Sequence, residues 1–527
     1  MKRIVVLLIA TCLAACAAVP SSERTGITFV HLNDTYRVGD VESGTAGGFS
    51  RVVTVVRDLQ ANGRDVHILH GGDFLYPSLE SQLWDGLQMV DAMNFMDSIA
   101  PMHVVAGNHE FDRRGPEQLV AALKASEFDW IGDNYSFDTG DAAADALLKS
   151  AHTIESGGRT IGMFSLTLHA DDGGNARSYL SIDKDYLAAA KRVIEQFEAD
   201  GVDAIIGVTH LHMWQDEMIA RLKRDHPSFV FVVGGHDHEP EYSPATATSA
   251  AVMKGASNAR VIWTIDLEFD ANGLPFIRER KVELNASVVP DADYQVLADR
   301  WREQLMQFFP FLEAHIGTAA VPLNAREEQV RTRETNWGNF ITDQMLGAFG
   351  EPADLAFINS GTLRIDDTIS GDITFEDIGR TFGFSSFLRY TTVTGAEFIK
   401  VMEAGFRGAP AAQGYFPQVA GFRVCVDRTL PEFDRIVSLQ LPTEDGWSEI
   451  EADEDYMLVV PDFLFRGGDG YDVPKDRPAS LPGSELKYLV LDAILHAQGA
   501  GQPVGKPIDP RNPRIKQLLE PKEPCWN

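Results

Sequence analysis

Cysteine is scarce in this chain: 527 residues contain four, at positions 12, 16, 425 and 525. No two form a Cys-x-x-Cys pair, which excludes thiolate metal clusters and dithiol redox chemistry. Positive charge is also short, with 46 Lys and Arg against 77 Asp and Glu, a formal net charge of -31. That balance excludes gripping a nucleic acid polymer by phosphate neutralisation, and it excludes purely electrostatic attachment to anionic lipid. Long apolar runs are missing beyond the first fifteen residues, so the body of the chain holds no segment that reads as a membrane-spanning helix. There is no internal repeat, and proline gathers only in the tail at residues 503–524. What remains, 44% hydrophobic and 23% charged residues, has the composition of globular protein. At roughly 100–200 residues each, the length suggests two to four domains.

The first residues carry a basic pair, Lys2-Arg3, an apolar run from Ile4, and Leu13-Ala14-Ala15-Cys16. A basic start, a short apolar core and small residues before a cut site make a secretory signal. Leu-Ala-Ala-Cys resembles the bacterial lipoprotein box, in which the cysteine is lipidated and becomes the mature N-terminus. This predicts a signal peptide at residues 1–15, a tether at 16–24, and a periplasmic or cell-envelope protein held to the membrane only through lipid on Cys16. Removing residues 1–15 takes away Lys2 and Arg3 and no acid, so the formal charge falls from -31 to -33. An oxidising compartment permits a Cys425–Cys525 disulfide, although sequence leaves their proximity open.

From residue 27 short apolar runs of strand length alternate with amphipathic helical patterns. The runs are 27–32, 66–69, 102–106, 161–166, 204–208 and 229–233, and the helical patterns include 51–62, 116–125 and 184–199. The alternation predicts a layered α/β domain over residues 25–290, with its site where the strands end. Near residue 290 the pattern changes. Asp293 is read as the cap of a linking helix within 291–317, with Leu297, Trp301, Leu305 and Phe308 on one face and Pro310 ending it. A second α/β domain for substrate binding is expected over 318–527.

Five polar clusters follow strand ends in the first domain. They are Asn33-Asp34-Thr35-Tyr36, Gly71-Gly72-Asp73, Gly107-Asn108-His109-Glu110-Phe111-Asp112, Thr209-His210 and Gly234-Gly235-His236-Asp237-His238. Together they offer carboxylates, amides and imidazoles, the hard oxygen and nitrogen donors a dinuclear site needs. Singly each reads as a turn; in this order the set resembles the metallophosphoesterase domain of the 5′-nucleotidase family. Gly47-Gly48 with Arg51 also matches a family segment. The resemblance implies two divalent metal ions, with Asp73 bridging them, Asp34 and His238 on one, and Asn108, His210 and His236 on the other. It implies that His109 is the catalytic histidine near the leaving group, oriented by Asp112. One position departs from the family pattern: Tyr36 stands where Asp-x-His is usual. A phenol is a poorer ligand than imidazole at neutral pH, and a hydrogen-bonding wall residue is the preferred reading of Tyr36.

Four segments of the second half resemble the family's C-terminal domain: residues 331–339, 359–364, 414–419 and 462–471. The resemblance implies a nucleoside clamp in which Phe416 and Tyr471 sandwich a base, Arg331 and Arg364 offer guanidinium forks, and Asn359 bonds sugar or base. Read without it, the aromatics are core. The activity implied is release of phosphate from nucleoside 5′-monophosphates, a small-molecule substrate. Rival readings are 2′,3′-cyclic nucleotide or nucleotide-sugar hydrolysis, hydrolysis of a sulfur-oxyanion conjugate, and a catalytically weak nucleotide-binding lipoprotein. Oxygen and imidazole donors suit Mn, Fe, Co and Zn alike.

Overall fold

The apolar runs become the strands of two sheets stacked face to face. In this computed structural model the chain is described over residues 26–168, 177–408, 413–520 and 523–526. The predicted signal and Cys16 lie outside the described residues. The first sheet has seven strands, in the order Pro275–Glu283, Val261–Phe269, Ile27–Leu32, Asp65–His70, Met102–Val105, Asp129–Ile131 and Leu148–Lys149. The second has six: Tyr242–Ser243, Ala251–Lys254, Phe229–Gly234, Ala204–His210, Arg159–Thr167 and His152–Ser156. Phe29, Ile68 and Val104 of one sheet share a core with Ile206, Phe231 and Val233 of the other.

The central strands Ile27–Leu32, Ala204–His210 and Phe229–Gly234 are buried at every residue, as strands covered on both faces must be. Ile27–Leu32, Asp65–His70 and Met102–Val105 are mutually parallel, as are Arg159–Thr167, Ala204–His210 and Phe229–Gly234. Parallel pairing brings their carboxyl ends to one edge, the customary place for a site in an α/β sheet. Helices Phe49–Ala61, Glu117–Ala125 and Tyr186–Asp200 form close to the predicted helical patterns.

The linking helix is Ala292–Phe308, and its cap is Asp291 rather than Asp293: the Asp291 carboxylate accepts from the backbone N–H groups of Asp293 and Tyr294. Its buried positions are Tyr294, Ala298 and Leu305. Phe308, expected on the packed face, is 63% exposed, because the core contacts run along Tyr294, Ala298 and Leu305 and leave the last turn outside. Tyr294 packs against Phe49 and Phe95 of the first core.

Beyond it stand two four-stranded sheets. One has the order Leu388–Thr394, Asp455–Pro461, Leu355–Asn359, Pro417–Ala420, and the other Gly446–Glu449, Ile436–Thr443, Arg423–Asp427, Ile515–Leu518. Leu355–Asn359 runs parallel to Asp455–Pro461, so the segments that begin at Asn359 and Asp462 leave from one edge. Cys425 and Cys525 form a disulfide with Cα atoms 5.6 Å apart, which ties the tail to the strand Arg423–Asp427.

Candidate metal centre

The chain turns sharply at the carboxyl edge of the first two sheets, and the turns take backbone conformations that side chains usually avoid. Asp34, Asp73, His236 and His238 all have positive φ, at 52°, 61°, 82° and 60°. Non-glycine residues rarely sit there, and such strain concentrates at functional sites. Gly72 is needed for close approach: a Cβ would lie 2.6 Å from the Gly107 nitrogen, and its φ is 83°.

These turns gather six side chains. His238 Nε2 lies 3.2 Å from Asp34 Oδ1, and His210 Nε2 lies 3.3 Å from Asp73 Oδ2. Asn108 Oδ1 lies 3.1 Å from His210 Nε2 and 3.1 Å from His236 Nδ1. Asp34, Asp73 and His238 have ligand atoms within 4.8 Å of one another, and all three are buried. The six residues thus lie in two neighbouring groups, with Asp73 close to both.

The tautomers bear on whether this set fits cations. His210 Nδ1 donates to the Gly71 carbonyl at 2.6 Å, and His238 Nδ1 donates to Glu327 Oε2 at 2.7 Å. Each Nε2 is left facing a carboxylate oxygen, an arrangement that needs a proton or a cation between the two. With side chains alone, burial opposes a charge on His210, but the Asp73 carboxylate lifts its pKa to about 9. Burial likewise opposes ionisation of Asp73, while His210 and His109 hold it down at about 2. Buried carboxylates that stay ionised among imidazoles, with no thiolate present, fit divalent ions.

Tyr36 is buried within the same cluster, its hydroxyl 3.0 Å from His238 Nε2, 3.3 Å from Asp34 Oδ1 and 3.4 Å from Asp73 Oδ2. Burial, reinforced by Asp73 and Asp34, raises its pKa well above 10. The neutral phenol is a hydrogen-bond donor in the wall.

His109 sits beside this cluster. Its Nδ1 is 2.8 Å from Asp112 Oδ2, its backbone N–H donates to Asp73 Oδ1 at 2.8 Å, and its Nε2 is 3.8 Å from Asp73 Oδ2. Burial disfavours its charge, yet Asp112 and Asp73 together raise its pKa. Arg364, from beyond the linking helix, places Nη2 3.1 Å from His109 Nε2 and stacks over Tyr36 and Phe384. Its Nε and Nη1 are buried without hydrogen-bond partners, as is Nε of Arg331.

Sequence reasoning missed several supporting groups. Glu327 opens the short helix Glu327–Val330 beyond the linking helix, accepts from His238 and Ser257, and binds Arg331 Nη2 at 2.9 Å. Burial works against its charge, but Arg331 and His238 keep it well below the usual carboxylate range. Its only sequence signal is its place four residues before Arg331. Glu110, already in a motif, accepts four backbone N–H groups, from Asp73, Phe74, Leu75 and Gly107, and so sets both ligand turns. Lys254 is fully buried and bonds Gly235 O at 2.9 Å and Asp237 Oδ2 at 2.8 Å, bracing the turn of His236 and His238. Arg51 is structural, paired with Asp40 at 2.6 Å.

The base clamp is the reading that the structure corrects. Phe416 is 3% exposed and Tyr471 is fully buried. Phe416 packs edge-on against Phe406, while Tyr471 packs against Phe357 and donates its hydroxyl to the Tyr415 carbonyl at 2.5 Å. Neither ring shows a free face to a base. Asn359 is also committed internally, donating to Asp469 and accepting from Thr362. The aromatic group beside His109 is instead half-buried Phe384, with centroids 5.7 Å apart, and Tyr76 next to it.

Residues 27–240 match the calcineurin-like phosphoesterase family, and residues 315–476 match the 5′-nucleotidase C-terminal domain. The chain belongs to the 5′-nucleotidase family. Membership makes it a metal-dependent phosphoric ester hydrolase. Among its relatives in the 5′-nucleotidase family, a human 5′-nucleotidase is 24% identical over 89% of this chain and 88% of its own. A trifunctional nucleotide phosphoesterase of Bacillus subtilis is 24% identical over 96% of this chain, which spans 36% of that protein's length. The structure of a 5′-nucleotidase precursor from Thermus thermophilus superposes with a TM-score of 0.80 at 24% identity, covering 94% of this chain and 100% of that one. A sulfate thiohydrolase from Thermus thermophilus shares the fold with a TM-score of 0.73 at 16% identity, covering 95% and 98%.

Proposed function

We propose that this chain is an exported hydrolase that releases phosphate from nucleoside 5′-monophosphates. The observation that carries the reading is the Arg364–His109 pair at the rim of the ligand cluster. Two buried guanidinium nitrogens have no acceptor, and a phosphate oxygen set against Arg364 and His109 would accept from both. The names of the human and Bacillus subtilis relatives support the nucleotide part.

Each residue then has a task. Asp112 fixes His109 through Nδ1 and leaves Nε2 toward the ester. With phosphate between them in place of the Arg364 contact, protonated His109 gives its Nε2 proton to the leaving ribose oxygen as the P–O bond breaks and water adds to phosphorus. Arg364 holds the phosphoryl oxygens, and Glu327 positions Arg331 and His238. Asp34, Asp73, Asn108, His210, His236 and His238 would hold divalent ions, which would supply Lewis acidity and water activation. Phe384 walls the reacting end against solvent.

The test is a panel of mononucleotides, 2′,3′-cyclic nucleotides, nucleotide sugars and a sulfur-oxyanion conjugate, each with Mn, Zn, Fe and Co. Phosphate released from 5′-monophosphates, and lost in Asp34→Asn, supports the reading. Faster turnover of a cyclic or sugar ester moves the substrate within the phosphoester class, and release of sulfate alone sinks it.

Export and anchoring belong to the same proposal: a signal at 1–15, lipid on Cys16, and domains at 25–290 and 318–527 joined by 291–317. No helix among the described residues is long and apolar enough to cross a membrane. Cys16→Ser should move the protein from the membrane fraction to the soluble envelope fraction; unchanged membrane association would remove the lipid anchor from the account.

A further inference from the structure

The parallel strands have a second, opposite edge, and there the first sheet carries a different constellation. His103 lies in register with Asp129 on the neighbouring strand and with Leu69 on the other side. His67, two residues before Leu69, therefore shares their face. Across the sandwich, His152 opens the edge strand His152–Ser156 of the second sheet. The four side chains come together as His67, His103, His152 and Asp129, far along the strands from the turns that bear Asp73 and Asn108.

Three ligand atoms converge. Asp129 Oδ2 is 3.7 Å from His103 Nδ1 and 3.5 Å from His152 Nε2, and all three atoms lie within 4.8 Å of one another. A tetrahedral ion with bonds of about 2.0–2.1 Å sets its donor atoms roughly 3.4 Å apart, close to this spacing. These distances are long for direct hydrogen bonds, so the groups face one another without satisfying one another.

His103 sharpens the case. Its residue is 4% exposed, and its Nδ1 is buried without a hydrogen-bond partner. Its Nε2 is already engaged with His67 Nδ1 at 3.1 Å. When His103 donates through Nε2, the Nδ1 lone pair points toward the Asp129 carboxylate, an arrangement that costs energy unless a cation lies between them. His67 then plays the outer partner that orients a ligating imidazole. The other oxygen of Asp129 is held by Lys149, which leaves Oδ2 for the imidazoles. His152 and Asp129 are 17% and 28% exposed in their side chains, so an ion can enter and keep a water as its fourth ligand.

We propose that His103, Asp129 and His152 form a separate zinc site that clamps the two sheets at the edge opposite the catalytic cluster. Two imidazoles and one carboxylate suit Zn²⁺. The ion links Met102–Val105 and Asp129–Ile131 of one sheet to His152–Ser156 of the other. Its role is structural, since none of its ligands belongs to the Asp34–Asp73–His238 group.

The full-length chain, stripped of metal and reloaded with Zn²⁺, is counted by elemental analysis beside His152→Ala and Asp129→Asn. Each variant should bind one zinc fewer per chain than the parent, and Zn²⁺ should raise its Tm less. Turnover of His152→Ala with Mn²⁺ should match the parent and shows that the variant is folded. Co²⁺ loading should give the parent a tetrahedral visible band that His152→Ala lacks. Equal zinc counts in parent and folded variant, or the same Zn²⁺-induced Tm shift in both, would overturn the site.

Discussion

The turns at the carboxyl edge of the sandwich and the segments that face them from the second half of the chain are equally rich in motifs, yet they folded to different ends. In the first region every quoted ligand, from Asp34 to His238, converges within hydrogen-bonding range of another. In the second, Arg364 reaches His109 and Arg331 binds Glu327, while Phe416 and Tyr471 sink into a core. A buried carboxylate or imidazole needs a partner or an ion, so a cluster of them has few explanations besides chemistry. An aromatic ring is equally content in a core, so its presence in a motif says less.

The comparison can be broken most directly at His109. His109→Ala should lower kcat by about 10²–10⁴-fold with the circular dichroism spectrum unchanged; near-parental turnover would take catalysis away from the first region. Arg364→Met comes next, with kcat expected to fall about 10²–10³-fold through lost charge stabilisation. Lys at 364 should restore only part of that, because it lacks the planar fork.

Glu327→Gln tests whether the second region tunes the first. It weakens the acceptor held by His238 Nδ1 and should reduce divalent-ion affinity about 10–100-fold by competition with a chelator. Unchanged affinity would make Glu327 a partner of Arg331 alone. The smallest effect is expected at Tyr471→Phe, which deletes the bond to the Tyr415 carbonyl. Stability should drop by about 1 kcal/mol with KM for nucleotide unchanged; a several-fold rise in KM at unchanged stability would return Tyr471 to the substrate.

Local pattern was enough for much of this. The run 27–32 is a strand at those residues, and the run 204–208 extends only to His210, because buried parallel strands are continuous apolar stretches. The helix cap slipped by two residues because Asp291 and Asp293 are both good caps and only the backbone decides between them. The hairpin Val261–Phe269 with Pro275–Glu283 has no apolar run to mark its outer strand, which is charged at Arg278, Glu279, Arg280, Lys281 and Glu283 and buries none of its residues.

By itself the sequence determined the α/β class, the order of the ligand turns, and the chemistry that oxygen and imidazole donors can support. Those follow from residue type and spacing along one chain. Only the tertiary structure decided that Glu327 would hold His238, that Arg364 would reach His109, that Phe416 and Tyr471 would be core, and that His103, Asp129 and His152 would meet. Each of these joins residues distant in sequence, and distance along the chain carries no signal of contact until the sheets have packed.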